Sequence, residues 1–235
     1  LANGSHQAYR DITIREGLTL RRIARHLDTC CGFSQDTILR LSRDPAFIAS
    51  VGLDASSLEG YLLPETYRVR FDITERELIE LLVSNMLEVF TTEVRQQMRR
   101  SGRTMRSILK MASLVEDETR LDRERARVAG VYYNRLRRGM LLQADPTIQY
   151  IIPDGPRRLL YRDLSINSPY NTYRYAGLPP GPVNNPGRAS IRAALYSESH
   201  DFYYFVADGS GGHRFSRTIE EHNRAVAAYR RLQRQ

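Results

Sequence analysis

"TMRSILKMASLVEDETR" runs from Thr104 to Arg120. Set at about 100° per residue, it gathers Met105, Ile108, Leu109, Met111, Ala112 and Val115 on one arc. Thr104 is a capping residue placed just ahead of that arc, so a buried amphipathic helix is expected. Three carboxylates close the stretch. Asp117 falls opposite the arc, beside Lys110 and Arg106, and reads as solvated. Glu116 and Glu118 fall on its two flanks, about 160° apart. A carboxyl group at the rim of an apolar face is partly desolvated, which raises its pKa and suits it to donate a proton near neutrality. Ordinary boundary residues have the same spacing, and periodicity does not choose between the two glutamates.

The neighbouring segments set this helix in a helix-dominated α+β chain. Upstream, Thr74 and Glu77 form a capping box for a long helix bearing Leu78, Leu81, Leu82, Met86, Val89 and Phe90, which "SGR" breaks at Ser101 to Arg103. Downstream, Val128, Tyr132 and Leu136 are in phase on a helix from about Asp122 to Arg138, with Gly139 as its stop. The first third reads as a β-α-α-β unit. "DITIREG" alternates Ile12 and Ile14, and Thr19 caps a helix with Leu20, Ile23, Ala24 and Leu27. Ser34 caps a second helix, closed by Asp44-Pro45, and "YLLPETYRVRF" returns to strand composition. Leu141 to Pro186 is rich in Pro, Gly, Asn and Tyr, a long irregular segment of the kind that carries function. At the end, "FYYFVA", "DGSGG" and "HRFS" make a hairpin. Thr218 and Glu221 then form a capping box for a helix facing Ile219, Val226 and Tyr229 inward.

With 41% apolar and 26% charged residues over 235 positions, the chain is globular rather than disordered. No run approaches the roughly 18 apolar residues of a spanning helix. It opens "LANGSHQAYR" without Met or signal-peptide pattern, which reads as a trimmed chain. Gly4, Ser5 and His6 have the composition of a cloning scar and are set aside. The net charge of +8 raises the question of polyanion binding. Lys110 is the sole lysine, and the arginines are spread evenly rather than gathered in a stripe, which argues against a nucleic-acid binder. Cys30 and Cys31 are adjacent; a bridge between neighbours strains its short ring, so both are expected to pack as small apolar residues. No Cys/His spacing suits a metal.

Five strings stand in order along the chain: "LEGYLLPETY" (Leu58 to Tyr67), "ASLVEDET" (Ala112 to Thr119), "VAGVYYNRLRRGMLLQADPTIQY" (Val128 to Tyr150), "SPYNTYRYAGLPPGPVNNPG" (Ser168 to Gly187) and "YYFVADGSGGHRFSRTIEEHNRAV" (Tyr203 to Val226). Together they resemble the YceG-like (MltG) family of endolytic murein transglycosylases. The resemblance implies a small LysM-like module over residues 1–72 and a lysozyme-like catalytic domain with small β-hairpins over residues 73–235. It also implies an N-terminal membrane helix, absent here, that anchors the protein as a single-pass protein of the bacterial inner membrane with its catalytic part on the periplasmic side. Peptidoglycan glycan strands are the implied substrate and peptidoglycan synthases the candidate partners, with no cofactor, no metal and no nucleic acid.

The family's catalytic acid is the glutamate of a Glu-Thr pair, which falls on Glu118. By that analogy Glu118 serves as acid and then as base, leaving a 1,6-anhydro sugar. Gln143, Asn171, Thr172 and Tyr173 are the expected sugar-binding groups. Asp145 is counted with them as a substrate-binding candidate and is the one nearby acid able to act as a second carboxylate, although "ADPT" reads more readily as an Asp-Pro turn. Glu65 either approaches the cleft or ties the two modules together. His213, after a Gly-rich turn, and His222, on an apolar helix face, are expected in structural roles. The rival readings are a muramidase that admits water and a noncatalytic peptidoglycan-binding scaffold.

Overall fold

The computed structural model describes residues 8–153 and 155–233 and divides into two compact units. Gly4, Ser5 and His6 lie outside the described residues.

The first unit comprises residues up to Thr92 together with Asn184–Gly187. Its strands, β1 (Tyr9–Thr13) and β2 (Thr66–Arg70), pair antiparallel with Ile12 opposite Tyr67. Between them run α1 (Leu20–Cys31), α2 (Gln35–Leu41) and α3 (Pro45–Ser50). Thr19 and Ser34 cap the first two as expected. Asp44-Pro45 does not simply stop the chain. The Asp44 carboxylate accepts from the backbone N–H groups of Ala46 and Phe47, and Pro45 occupies the first turn, where its missing donor is not needed, so a third helix starts there.

The last element of this unit is α4 (Glu75–Val89), with the capping box of Thr74 and Glu77 in place. The 72/73 boundary expected between modules therefore falls inside a packed unit. The amide of Leu63 donates to the Leu82 carbonyl at 3.3 Å, α4 packs on α2, and the division comes at Thr92. Asn185 completes the unit: its Oδ1 accepts from the amides of Gly60 and Leu62 (2.9 and 3.0 Å), while its Nδ2 donates to Leu18 O and Glu59.

Cys30 and Cys31 are joined to each other as a disulfide at the end of α1, and neither is buried. This corrects the expectation of small apolar packing: the end of α1 faces outward at both positions.

The second unit holds Glu93–Val183 and Arg188–Gln235. The long helix expected from Thr74 is two helices. Phe90 is buried in a non-helical conformation (ψ 62°), and α5 (Thr92–Ser101) starts anew. Next comes α6 (Met105–Glu118), capped by Thr104, with Ile108, Leu109, Met111, Ala112, Leu114 and Val115 buried. Thr119 leaves the helix in extended geometry, so Glu118 is the last helical residue.

Helix α7 (Asp122–Arg137) follows at once and packs on α6. Within α7, a Cβ on Gly130 would lie 2.4 Å from Glu198 O and 2.5 Å from His200 Nε2, so only glycine admits that close approach. The Leu141–Pro186 segment is not wholly irregular: α8 (Asp145–Ile151) uses Asp145-Pro146 as a helix start, and a short 3-10 turn spans Asp163–Ser165. Unforeseen α9 (Arg188–Leu195) packs against both α6 and α7. The hairpin forms as expected from β3 (Tyr204–Ala207) and β4 (His213–Ser216), with Ala207 opposite His213. In α10 (Ile219–Leu232), Ala225 is buried, whereas Ile219 is 45% exposed and does not face inward as expected. The Glu221 carboxylate accepts from Arg217 N–H, one residue before the Thr218 cap. Among the described residues no helix is long and apolar enough to cross a membrane.

Candidate active site

The end of α6 separates the two glutamates that its period leaves equivalent. Glu116 is taken up by the second unit's interior: its Oε1 receives the Arg125 guanidinium of α7 at 3.0 Å, with both side chains less than a tenth exposed. The same guanidinium donates to Ser190 Oγ of α9 at 2.6 Å and to Asp122 at 3.0 Å. Glu116 therefore ties three helices together. Asp117 is exposed, as its position opposite the arc requires.

Glu118 opens onto a cleft of about 350 Å³ lined also by Tyr132, Arg135, Leu142, Gln143, Asp145, Tyr173, Phe205, Val206, Ala207, His213 and His222. The Tyr132 hydroxyl, on buried α7, donates to Glu118 Oε1 at 2.6 Å. Burial is the main influence on this carboxyl and pushes its pKa up to about 7. The Tyr132 hydrogen bond opposes that rise, the negative charges of Asp145 and Asp117 add to it, and the Arg135 guanidinium opposes it.

Arg135 is itself buried and immobilised. Its Nε donates to Tyr203 O at 2.7 Å and one terminal nitrogen to Leu142 O at 2.6 Å, so α7 is clamped both to the residue that leads into the hairpin and to the loop that follows α7. Its plane lies 5.4 Å from the Tyr204 ring, which in turn stacks on His222 at 5.3 Å. His222 has a buried Nδ1 without a hydrogen-bond partner, and burial lowers its pKa.

Of the residues expected to bind sugar, Gln143, Asp145 and Tyr173 line this cleft. Gln143 has φ +49°, in the left-handed region, and its backbone N–H bonds to Thr172 O at 3.0 Å. Such a conformation costs energy and is held here at the cleft wall. The Tyr173 hydroxyl donates to the Asp145 carboxylate, and burial together with that acceptor raises the Tyr173 pKa.

Asn171 and Thr172 are not brought to the cleft wall; both are buried. The Asn171 amide donates to the carbonyls of Leu164 and Ile166, and its Oδ1 accepts from Tyr173 N–H. Thr172 Oγ1 accepts from Ala144 N–H at 3.0 Å and meets Thr147 Oγ1 at 3.0 Å. Their side chains turn inward and hold the loop that presents Tyr173 and Gln143. The two histidines expected in structural roles do line the cleft. No composition signal placed Tyr132 or Arg135 there; the helical spacing of Glu118 and the α7 residues says nothing about which two faces meet.

A partly buried glutamate whose pKa burial raises to about 7, hydrogen-bonded by a tyrosine and open to a polar cleft, marks a candidate acid–base site in a helix-dominated α+β fold. The chain belongs to the YceG-like family, whose profile matches residues 1–228. An endolytic murein transglycosylase of Bacillus subtilis is 34% identical over 232 residues, which is 93% of this chain and 64% of that protein. A protein of the same description from Streptococcus pneumoniae is 31% identical over 93% of this chain and 44% of its own length. The chain thus spans about half to two thirds of these relatives. A crystal structure of a yceG-like protein from Listeria monocytogenes superposes with a TM-score of 0.82 at 34% identity, covering 92% of this chain and 75% of that one.

Proposed function

We propose that this chain carries the catalytic part of an endolytic lytic transglycosylase of peptidoglycan. The observation that carries the reading is Glu118, a carboxyl with its pKa pushed up to about 7 on the floor of a polar cleft. Family membership and relatives named as murein transglycosylases support it. In this reading Glu118, protonated, donates to the glycosidic oxygen between N-acetylmuramic acid and N-acetylglucosamine, and the C1–O bond breaks. The resulting carboxylate takes the proton of the muramoyl C6 hydroxyl as that oxygen attacks C1. One residue is acid and then base, a 1,6-anhydro end forms, and no water is consumed. Ordinary glycosidases divide these tasks between two carboxyl groups.

The same family membership supports a LysM-like character within the first unit and a lysozyme-like one for the cleft-bearing second unit. It also supports a place on the extracytoplasmic face of the bacterial inner membrane through a single N-terminal helix, with peptidoglycan synthases as candidate partners. Asp145 favours one alternative, because its carboxylate lines the same cleft and would serve a hydrolase as the base that activates water. Mass spectrometry of products from uncrosslinked glycan strands separates the two. Anhydro-terminated chains are expected; reducing ends that have taken up water would transfer the site to the hydrolases.

Tyr132→Phe is expected to act on the same proton. Its hydroxyl stabilises the charged carboxylate, so its loss raises the Glu118 pKa. The alkaline limb of the rate profile should move to higher pH, while kcat falls roughly tenfold as the carboxyl loses its fixed orientation. A profile that does not move, or moves to lower pH, counts against the coupling.

A further inference from the structure

His213, which lines the cleft, belongs to a second ordered pair. Glu124, in the first turn of α7 and 7% exposed, accepts the backbone N–H of His213 on one oxygen at 3.1 Å. Its other oxygen lies 2.8 Å from His213 Nδ1. The approach is tight: a Cβ on Gly212, just ahead of β4, would lie 2.8 Å from Glu124 Oε1 and 3.1 Å from Asp208 Oδ2. Asp208 in turn accepts from the amides of Ser210 and Gly212 and closes the turn. The Glu124 carboxylate at Nδ1 accepts the proton of that nitrogen, so in the corresponding tautomer Nε2 is the ring's acceptor, and His213 lines the cleft.

Phe205 connects this pair to the tyrosine that holds the acid, its ring edge-on to Tyr132 at 5.8 Å and to His213 at 5.3 Å. Glu118, Phe205 and His213 all line the one cleft, so a sugar strand lying along it at Glu118 has His213 within the same wall. Val206 and Ala207 continue the same wall beside Phe205.

We infer that Glu124 and His213 form a second sugar subsite in the cleft, in which His213 Nε2 accepts a hydrogen bond from the acetamido N–H or a hydroxyl of an N-acetylhexosamine adjacent to the bond being cut. His213 touches the sugar; Glu124 acts through it by fixing ring and tautomer. This rests on the transglycosylase reading.

Calorimetric binding of uncrosslinked glycan strands tests it in a noncleaving Glu118→Gln parent, with His213→Asn or His213→Gln added. Asparagine places its amide where Nδ1 meets Glu124 but has nothing at the Nε2 position; glutamine places an amide near Nε2. Affinity is expected to fall about tenfold in the asparagine protein, at an unchanged melting temperature, and to be partly recovered in the glutamine protein. A purely structural histidine gives the reverse order, because asparagine keeps the Glu124 bond. The inference is overturned if the asparagine protein binds like the parent or the glutamine protein binds no better than it. A folded parent that binds no strand at all removes the peptidoglycan reading, and the subsite goes with it.

Discussion

Glu118→Gln abolishes strand cleavage, by about 10³-fold or more, and at the same time makes the protein more stable in alkaline buffer. The first effect follows from removing the proton carrier that Tyr132 holds in the cleft. The second follows from linkage. The folded pKa of Glu118 is raised to about 7 from an ordinary 4.5, so between those values the folded state holds a proton that the unfolded state has released. The stability associated with that proton is fully present below about pH 4.5 and is lost as pH rises through about 7. Above that, wild type carries a buried anion whose cost is on the order of 3 kcal/mol. Glutamine carries no such charge. Thermal melts of the two proteins should diverge as pH rises from 5 to about 8, the variant melting higher, and converge toward acid pH. Equal melting temperatures at all pH values would mean that Glu118 is solvated.

Glu116→Ala behaves in the opposite way. The Arg125 guanidinium then loses its buried partner and keeps only Ser190 and the exposed Asp122. Removing one side of a buried ion pair leaves an uncompensated charge and costs roughly 3 kcal/mol or more. For a unit of this size that corresponds to a fall in Tm of about 10 °C. Per folded molecule, cleavage should stay within about threefold of wild type, since Glu116 faces α7 and α9 rather than the cleft. Denaturation melts and active-site-normalised rates measured on the same samples give both quantities. A folded, thermally normal Glu116→Ala protein without activity would exchange the roles assigned to the two glutamates.

That these residues two apart differ so completely explains how far the chain can be read without its fold. The α6 period and the Thr104 cap were legible, because caps and apolar arcs are local. Glu116 and Glu118 sit on opposite rims of that arc, and what distinguishes them comes from Arg125 and Tyr132 on the next helix. Arg125 and Tyr132, seven residues apart, share one face of α7, and that this face meets α6 is set by tertiary packing, which periodicity does not encode. The resemblance, and not the period, singled out Glu118.

The irregular segment tells the same story at finer grain. Gln143, Asp145 and Tyr173 line the cleft, yet Asn171 and Thr172, polar residues next to Tyr173, are consumed by loop carbonyls and by Thr147. Side-chain direction within a loop depends on its backbone bonds, which composition does not reveal. Proline misled twice in one manner: Asp44-Pro45 and Asp145-Pro146 read as stops or turns, whereas each opens a helix. Short α9, with small buried residues such as Ser190 and Ala194, carries too brief an apolar pattern to be seen.

The most direct test is the titration of the Glu118 side-chain carboxyl itself, followed by NMR of labelled carboxyl carbons and assigned by loss of the signal in Glu118→Gln. A midpoint near 7 is the expected result. A midpoint at the ordinary glutamate value near 4.5 would leave the cleft without a proton to donate at neutrality and would contradict the acid–base role.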